Sequence, residues 1–162
     1  MKELSENEVN FLNAKILRHI EKLFQGLAGI NGDKSTYMND LTSIGKKILG
    51  TKYKGTFTSD AIPFLTDKRP YCIVNLDNSH QSGSHWIGIA KYPKKDRYLV
   101  YDSFGRDTKK ILPSALNKFG SGNIVDTDSD AEQKAIETNC GQRCLAFLIL
   151  SDLFGIVNSE KL

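Results

Sequence analysis

In the first part of the chain, apolar residues return every three or four positions. Val9, Leu12, Ile16, Ile20, Leu23, Phe24 and Leu27 fall on one helical face, with polar residues between them. Ser5 and Glu8 have the Ser-x-x-Glu spacing of a capping box, so an amphipathic helix is predicted over residues 6–26, with Gly26 and Gly29 ending it. Asn31-Gly32-Asp33 reads as a turn, and Leu41, Ile44 and Ile48 mark a shorter helix closed by Gly50. Beyond Thr51 the pattern changes. Residues 55–58 look extended, 59–70 read as a loop punctuated by Pro63 and Pro70, and strands are predicted over 71–76, 85–92 and 98–102. The 93–97 connection is short and polar, which makes the last two strands a hairpin. Ile111, Leu112, Ala115, Leu116 and Phe119 restore helical spacing over 108–119, where Pro113 fits only in a first turn. Gly120 to Gly122 stop that helix, Ile124-Val125 makes a brief strand, and 126–130 is an acidic loop.

The last stretch has no such alternation. Leu145, Ala146, Phe147, Leu148, Ile149 and Leu150 leave no polar face until Ser151 and Asp152, which predicts a helix buried on most sides. Asn139 is a suitable N-cap and puts Cys140 in the first turn. Free backbone N–H groups and the positive end of the helix dipole favour a thiolate over a thiol at such a position. Gly141, directly after it, would leave the approach to the sulfur uncrowded. A small core cysteine heading a buried helix fits the same residues, so the meaning of Cys140 depends on what accompanies it.

At 162 residues the chain is long enough for one domain with a real core, and 40% hydrophobic against 25% charged residues is the composition of an ordinary soluble globular protein. The net charge of +3 is mild. Clusters at Lys46, Lys47, Lys52 and Lys54, and at Lys91, Lys94, Lys95 and Arg97, permit contact with DNA without arguing for it. The three cysteines, Cys72, Cys140 and Cys144, are odd in number and lack framework spacing, which predicts a reduced, intracellular protein. Lys2, Glu3, Glu6 and Glu8 have no apolar core region behind them, so neither a secretory signal nor a membrane span is expected. There is no Cys-x-x-Cys pair; Cys144 and Cys72 read as core, and neither a metal nor another cofactor is called for.

A cysteine nucleophile needs a base within reach, a group that holds the base in the right tautomer, and donors aimed at the developing oxyanion. The sequence offers each. His85 opens one strand of the hairpin and Asp102 closes the other, so an antiparallel pairing puts both at one end of the sheet although 17 positions separate them. An aspartate beside imidazole favours the charged ring and fixes its tautomer. Gln133, seven residues before Cys140, is an uncharged donor that with the Cys140 backbone N–H would bind an oxyanion. His19 faces outward on the first helix and His80 sits in a polar loop; neither is expected to take part.

His85-Trp86, then Tyr98-Leu99-Val100-Tyr101-Asp102-Ser103-Phe104-Gly105, then Gln133, then Cys140-Gly141-Gln142-Arg143-Cys144 resemble, in order and spacing, the adenovirus endopeptidase (adenain) family. Gly55-Thr56-Phe57, Cys72-Ile73-Val74-Asn75 and Gly83-Ser84 extend the resemblance upstream, so that it covers residues 49–157. That family shares a clan of cysteine proteases with the enzymes acting on SUMO and other ubiquitin-like proteins. The resemblance implies an α+β, permuted papain-like fold in which Cys140 is the nucleophile, His85 the base and then acid, Asp102 its orienting group and Gln133 an oxyanion donor. Trp86 and Gly141 would border a narrow cleft that prefers glycine. It further implies a monomeric protease maturing viral capsid precursors inside the virion or virus factory, as in virophage-type elements.

Three departures stand out. Asp102 replaces the glutamate of the adenovirus enzyme, residues 1–48 have no family counterpart, and the segments that bind an activating peptide have no equivalent before Leu162. Activation by peptide or DNA is therefore not part of the expectation. Other outcomes compatible with the sequence are a protease removing ubiquitin-like proteins, an acetyltransferase of the same clan, and an inactive binding module.

Overall fold

The computed structural model describes residues 2–25, 34–77, 85–128 and 139–162, with the backbone alone for 34–36. The expected helix end at Gly26 and Gly29, the turn at Asn31-Gly32-Asp33, and His80, Gly83, Ser84 and Gln133 lie outside the described residues.

The capping box forms as its spacing requires. The Glu8 N–H donates to Ser5 Oγ at 3.1 Å and the Ser5 N–H to Glu8 Oε1 at 3.0 Å. It starts α1, Glu6–Phe24, which buries Val9, Leu17, Ile20 and Phe24. Helix α2, Lys34–Leu49, follows, and a single 3₁₀ turn at Gly50–Lys52 leads into the sheet.

Five strands form that sheet in sequence order: β1 Tyr53–Thr58, β2 Tyr71–Asn75, β3 Trp86–Lys91, β4 Tyr98–Tyr101 and β5 Ile124–Asp126. The central pairs β2–β3 and β3–β4 are antiparallel, while β1 and β5 add parallel edges, so the fold is mixed α+β. The β3–β4 hairpin pairs Gly88 with Tyr101 and Lys91 with Tyr98, as the short 93–97 connection predicts. Alternation along the strands then assigns the two faces. Tyr71, Ile73, Trp86, Ala90, Leu99 and Tyr101 point into one core; Cys72, Val74, Ile87, Ile89 and Val100 point into the other.

The second face is covered by α3, Thr108–Ile111, and α4, Pro113–Phe119, through Leu112, Ala115 and Phe119. One helix is predicted there and two short ones form. Pro113 occupies the first position of α4, and Leu112 before it takes φ −141° and ψ 66°, because the proline ring excludes helical backbone in the preceding residue.

On the first face lies α5, Cys140–Phe154, followed by α6, Ile156–Ser159. From Cys140 to Ser151 every side chain of α5 except half-buried Arg143 is buried, since α1 and α2 cover the side that the sheet does not. The unbroken apolar run has that cause: there is no wet face to pattern. Close approach needs space on the strand. A Cβ at Gly88 would stand 2.8 Å from the Phe147 ring, which stacks on Tyr101 at 5.0 Å. Helices α1 and α2 therefore supply the outer wall of the core that holds α5. The segment before α1 is tied to α6, where Leu4 N–H donates to Asn158 Oδ1 at 2.9 Å and Asn158 Nδ2 to the Lys2 carbonyl at 3.0 Å.

Candidate active site

Local structure at one end of the sheet places each charged group. His85 precedes β3, and its carbonyl accepts the Leu76 N–H at 2.9 Å, which prolongs the β2–β3 ladder by a step and fixes the histidine backbone. Asp102 follows β4. The hairpin register ends with Gly88 opposite Tyr101, so Asp102, the next residue, and His85, just before the start of β3, emerge at the same end of the sheet. The chain then turns, with the Gly105 N–H donating to the Asp102 carbonyl at 2.8 Å and the Phe104 N–H to Asp102 Oδ1 at 3.2 Å.

The result is a 2.5 Å hydrogen bond between His85 Nε2 and Asp102 Oδ1, with His85 5% and Asp102 4% exposed. The side chain of Cys140 hydrogen-bonds the same imidazole, and because Nε2 is taken by Asp102, the nitrogen left to meet the sulfur is Nδ1. The structure thus brings together His85, Asp102 and Cys140.

Electrostatics follow from the contacts. Burial works against a charged His85 ring, but the hydrogen bonds to Asp102 and Cys140 and the charges behind them outweigh it, and hold the ring above the ordinary imidazole value. Burial likewise opposes ionisation of Asp102. The hydrogen bonds from His85 and Arg106 win there too and draw the carboxyl down to about 2. The two signs are opposite. The stability from the lowered Asp102 value is full above the ordinary carboxylate value and is lost as pH falls through about 2. That from the raised His85 value is full below the ordinary imidazole value and is lost as pH rises through the raised one, so the charged pair is favoured between those limits.

Around this cluster three expectations change. Asn139 precedes α5 but does not cap it; its Oδ1 instead accepts from Arg143 Nε at 3.1 Å and its Nδ2 donates to Glu21 at 3.2 Å. The oxygen at the head of the helix belongs to Tyr37 of α2. The backbone N–H groups of Gly141 and Gln142, second and third in the first turn, hydrogen-bond the phenol oxygen, and the hydroxyl donates to Gln142 Oε1 at 2.6 Å. Burial keeps that phenol protonated far above its usual range, with Cys140 and Cys144 pushing the same way.

Gly141 is bare for a related reason. A Cβ there would lie 2.5 Å from the Tyr37 oxygen, so the space expected for an approaching substrate is filled by α2. Trp86, expected beside a cleft, is 2% exposed and packs edge-on against Tyr37 at 5.8 Å, while its carbonyl accepts from Cys144 Sγ at 3.3 Å. Cys72 and Cys144 are core residues, fully buried.

Sequence reasoning missed Tyr37, Arg106 and Phe104. The Phe104 ring lies 4.8 Å from His85, and Arg106 Nε donates to Asp102 Oδ2 at 2.7 Å. An acid and a base four positions apart after a strand are a readable signal for the arginine. Tyr37 leaves none, because nothing local ties it to residues more than a hundred positions away.

The basic clusters are partly neutralised. Lys52 pairs with Asp152 at 2.9 Å and Lys91 with Asp67 at 2.6 Å. No helix among the described residues is long and apolar enough to cross a membrane.

What the fold and the site define is an α+β protein with a cysteine, a histidine and an aspartate in contact at the head of a buried helix. No family model matches the chain. It is similar to the adenovirus proteins named protease. Identity is 27% over 118 residues with that of Snake adenovirus serotype 1, covering 65% of this chain and 59% of the relative. With Bovine adenovirus 2 it is 28% over 109 residues, covering 59% of this chain and 53% of the relative. A shorter match to Equine adenovirus B serotype 2 is 32% identical over 57 residues, covering 35% of this chain and 28% of the relative. The chain spans about half, or less, of the length of the relatives it matches.

Proposed function

We propose that this chain is a cysteine endopeptidase that cuts viral structural precursors next to glycine. The observation that carries the reading is a single imidazole, that of His85, held between the buried carboxylate of Asp102 and the sulfur of Cys140. The Cys140 thiolate attacks the scissile carbonyl carbon and the carbonyl electron pair moves onto oxygen. The Cys140 backbone N–H, at the head of α5, and the Gln133 amide are the donors proposed for that oxyanion. His85 gives its proton to the leaving amine, leaving a thioester. It then takes a proton from water, which attacks the thioester and releases the thiolate. Asp102 stays ionised throughout and steadies the ring.

The viral setting is supported by the names of the similar proteins; the preference for glycine and the virophage-type capsid substrate rest on the family resemblance. The proposed workplace is the virus factory and virion, with the chain acting as a monomer.

Brief exposure to iodoacetamide at neutral pH, followed by mass spectrometry, tests the core of this reading. Cys72 and Cys144 are fully buried, so selectivity for Cys140 alone decides nothing. The deciding result is the loss of Cys140 reactivity in His85→Ala. Cys140→Ala should fold and cut no glycine-containing peptide. Turnover by that variant at the wild-type rate would end the assignment.

A further inference from the structure

The carboxylate that serves His85 is itself held from its far side. Asp102 Oδ2 accepts from Arg106 Nε at 2.7 Å and from the Arg106 backbone N–H at 3.0 Å, and a second guanidinium nitrogen lies 3.5 Å from Oδ1. The same guanidinium stands 5.1 Å over the ring of Phe104, whose other neighbour is the His85 ring at 4.8 Å. Phe104 thus neighbours both the guanidinium and the imidazole.

We propose that Arg106 is a positioning residue of this site, clamping Oδ2 of Asp102 so that Oδ1 stays in line with His85 Nε2. The torsion that turns a carboxylate is broad and nearly two-fold, and without the guanidinium it is opposed by histidine and by one backbone N–H on each oxygen, that of Phe104 on Oδ1 at 3.2 Å and that of Arg106 on Oδ2 at 3.0 Å. The guanidinium adds the short, charged bond at 2.7 Å on Oδ2 and a second nitrogen 3.5 Å from Oδ1, so its plane lies against both oxygens, and a planar guanidinium does this where an ammonium cannot. The charged groups that face Asp102 are His85 and Arg106, one on each oxygen. The Arg106 side chain is 42% exposed while that of Asp102 is 1% exposed, so truncating the arginine leaves the core intact.

The kinetic consequence rests on the protease reading; the clamp itself does not. Full-length Arg106→Ala and Arg106→Lys are compared with wild type on an internally quenched peptide containing a Gly-Gly bond, and by the rate of Cys140 alkylation with iodoacetamide, which needs no substrate. Arg106→Ala should lose about 10- to 100-fold in kcat, the scale of a small misplacement, with KM unchanged. Its alkylation should slow as well. Arg106→Lys should fall between the two, and millimolar methylguanidinium should restore both rates to Arg106→Ala.

Wild-type kcat and alkylation in Arg106→Ala would overturn the proposal, and so would a loss carried by KM or one indifferent to methylguanidinium. Arginine-dependent alkylation without cleavage of the peptide would keep the clamp and sink the protease. Cleavage that ignores the arginine would do the reverse.

Discussion

Two helices in this protein begin in opposite ways. α1 is started by its own neighbours: Ser5 and Glu8 exchange hydrogen bonds across three residues. α5, which carries Cys140, has no side-chain cap from Asn139 and takes its oxygen from Tyr37 in another helix. The first arrangement exists as soon as a turn of helix forms; the second exists only when α2 has packed against α5. The sulfur is therefore mounted on a helix end that the tertiary fold completes. The N-terminal helices take part in that mounting as well as in burial of the core.

The largest effect on this difference should come from Gly141→Ala. The added methyl meets the Tyr37 oxygen at 2.5 Å and Leu41 at 3.1 Å, so either α2 moves or the first turn of α5 does. Overpacking of this kind costs about 1–3 kcal/mol. Here it also evicts the oxygen that receives two N–H groups. The expected outcome is a lower thermal midpoint together with a loss of Cys140 alkylation at neutral pH. Unchanged alkylation in a folded Gly141→Ala protein would show that the seat of Tyr37 is irrelevant to the sulfur.

How far the fold could be read from the sequence follows the same division. The amphipathic face of α1, its capping box, the β3–β4 hairpin and the unpatterned α5 all rest on near-neighbour rules, and each is where the residues place it. The juxtaposition of His85 and Asp102 was also legible, because a hairpin with a short turn leaves little freedom in which strand ends meet. What could not be read depends on contacts between remote elements. Asn139 has the right chemistry for a cap, yet its amide is drawn to Glu21 and Arg143. The break at Leu112 is the exception: a local rule for the residue before proline was available, and the helical spacing around it masked the effect.

Tyr37→Phe should have the next largest effect, and it separates the hydroxyl from the ring. The edge-on contacts with Phe24 at 6.0 Å and Trp86 at 5.8 Å survive, while the Gly141 and Gln142 N–H groups lose their acceptor. Leaving buried donors unpaired costs about 1–3 kcal/mol. Amide hydrogen exchange at Gly141 and Gln142 should quicken relative to the middle of α5, and peptide cleavage should slow by roughly tenfold as the first turn loosens. Faster exchange with undiminished cleavage would confine Tyr37 to stability.

Ser5→Ala should have the smallest effect and serves as the control on the other helix. Its hydroxyl accepts one N–H at an exposed helix start, and losing such a cap costs about 1 kcal/mol. The apolar face of α1 that lies on the core does not include Ser5, so Val9, Ile20 and Phe24 keep their contacts and α5 keeps its covering. A drop of a few degrees in thermal midpoint with wild-type Cys140 alkylation is expected. If alkylation fell as it should in Gly141→Ala, fraying of α1 would be reaching the sulfur through α5. The two helix starts would then be one coupled device instead of a local cap and a tertiary one.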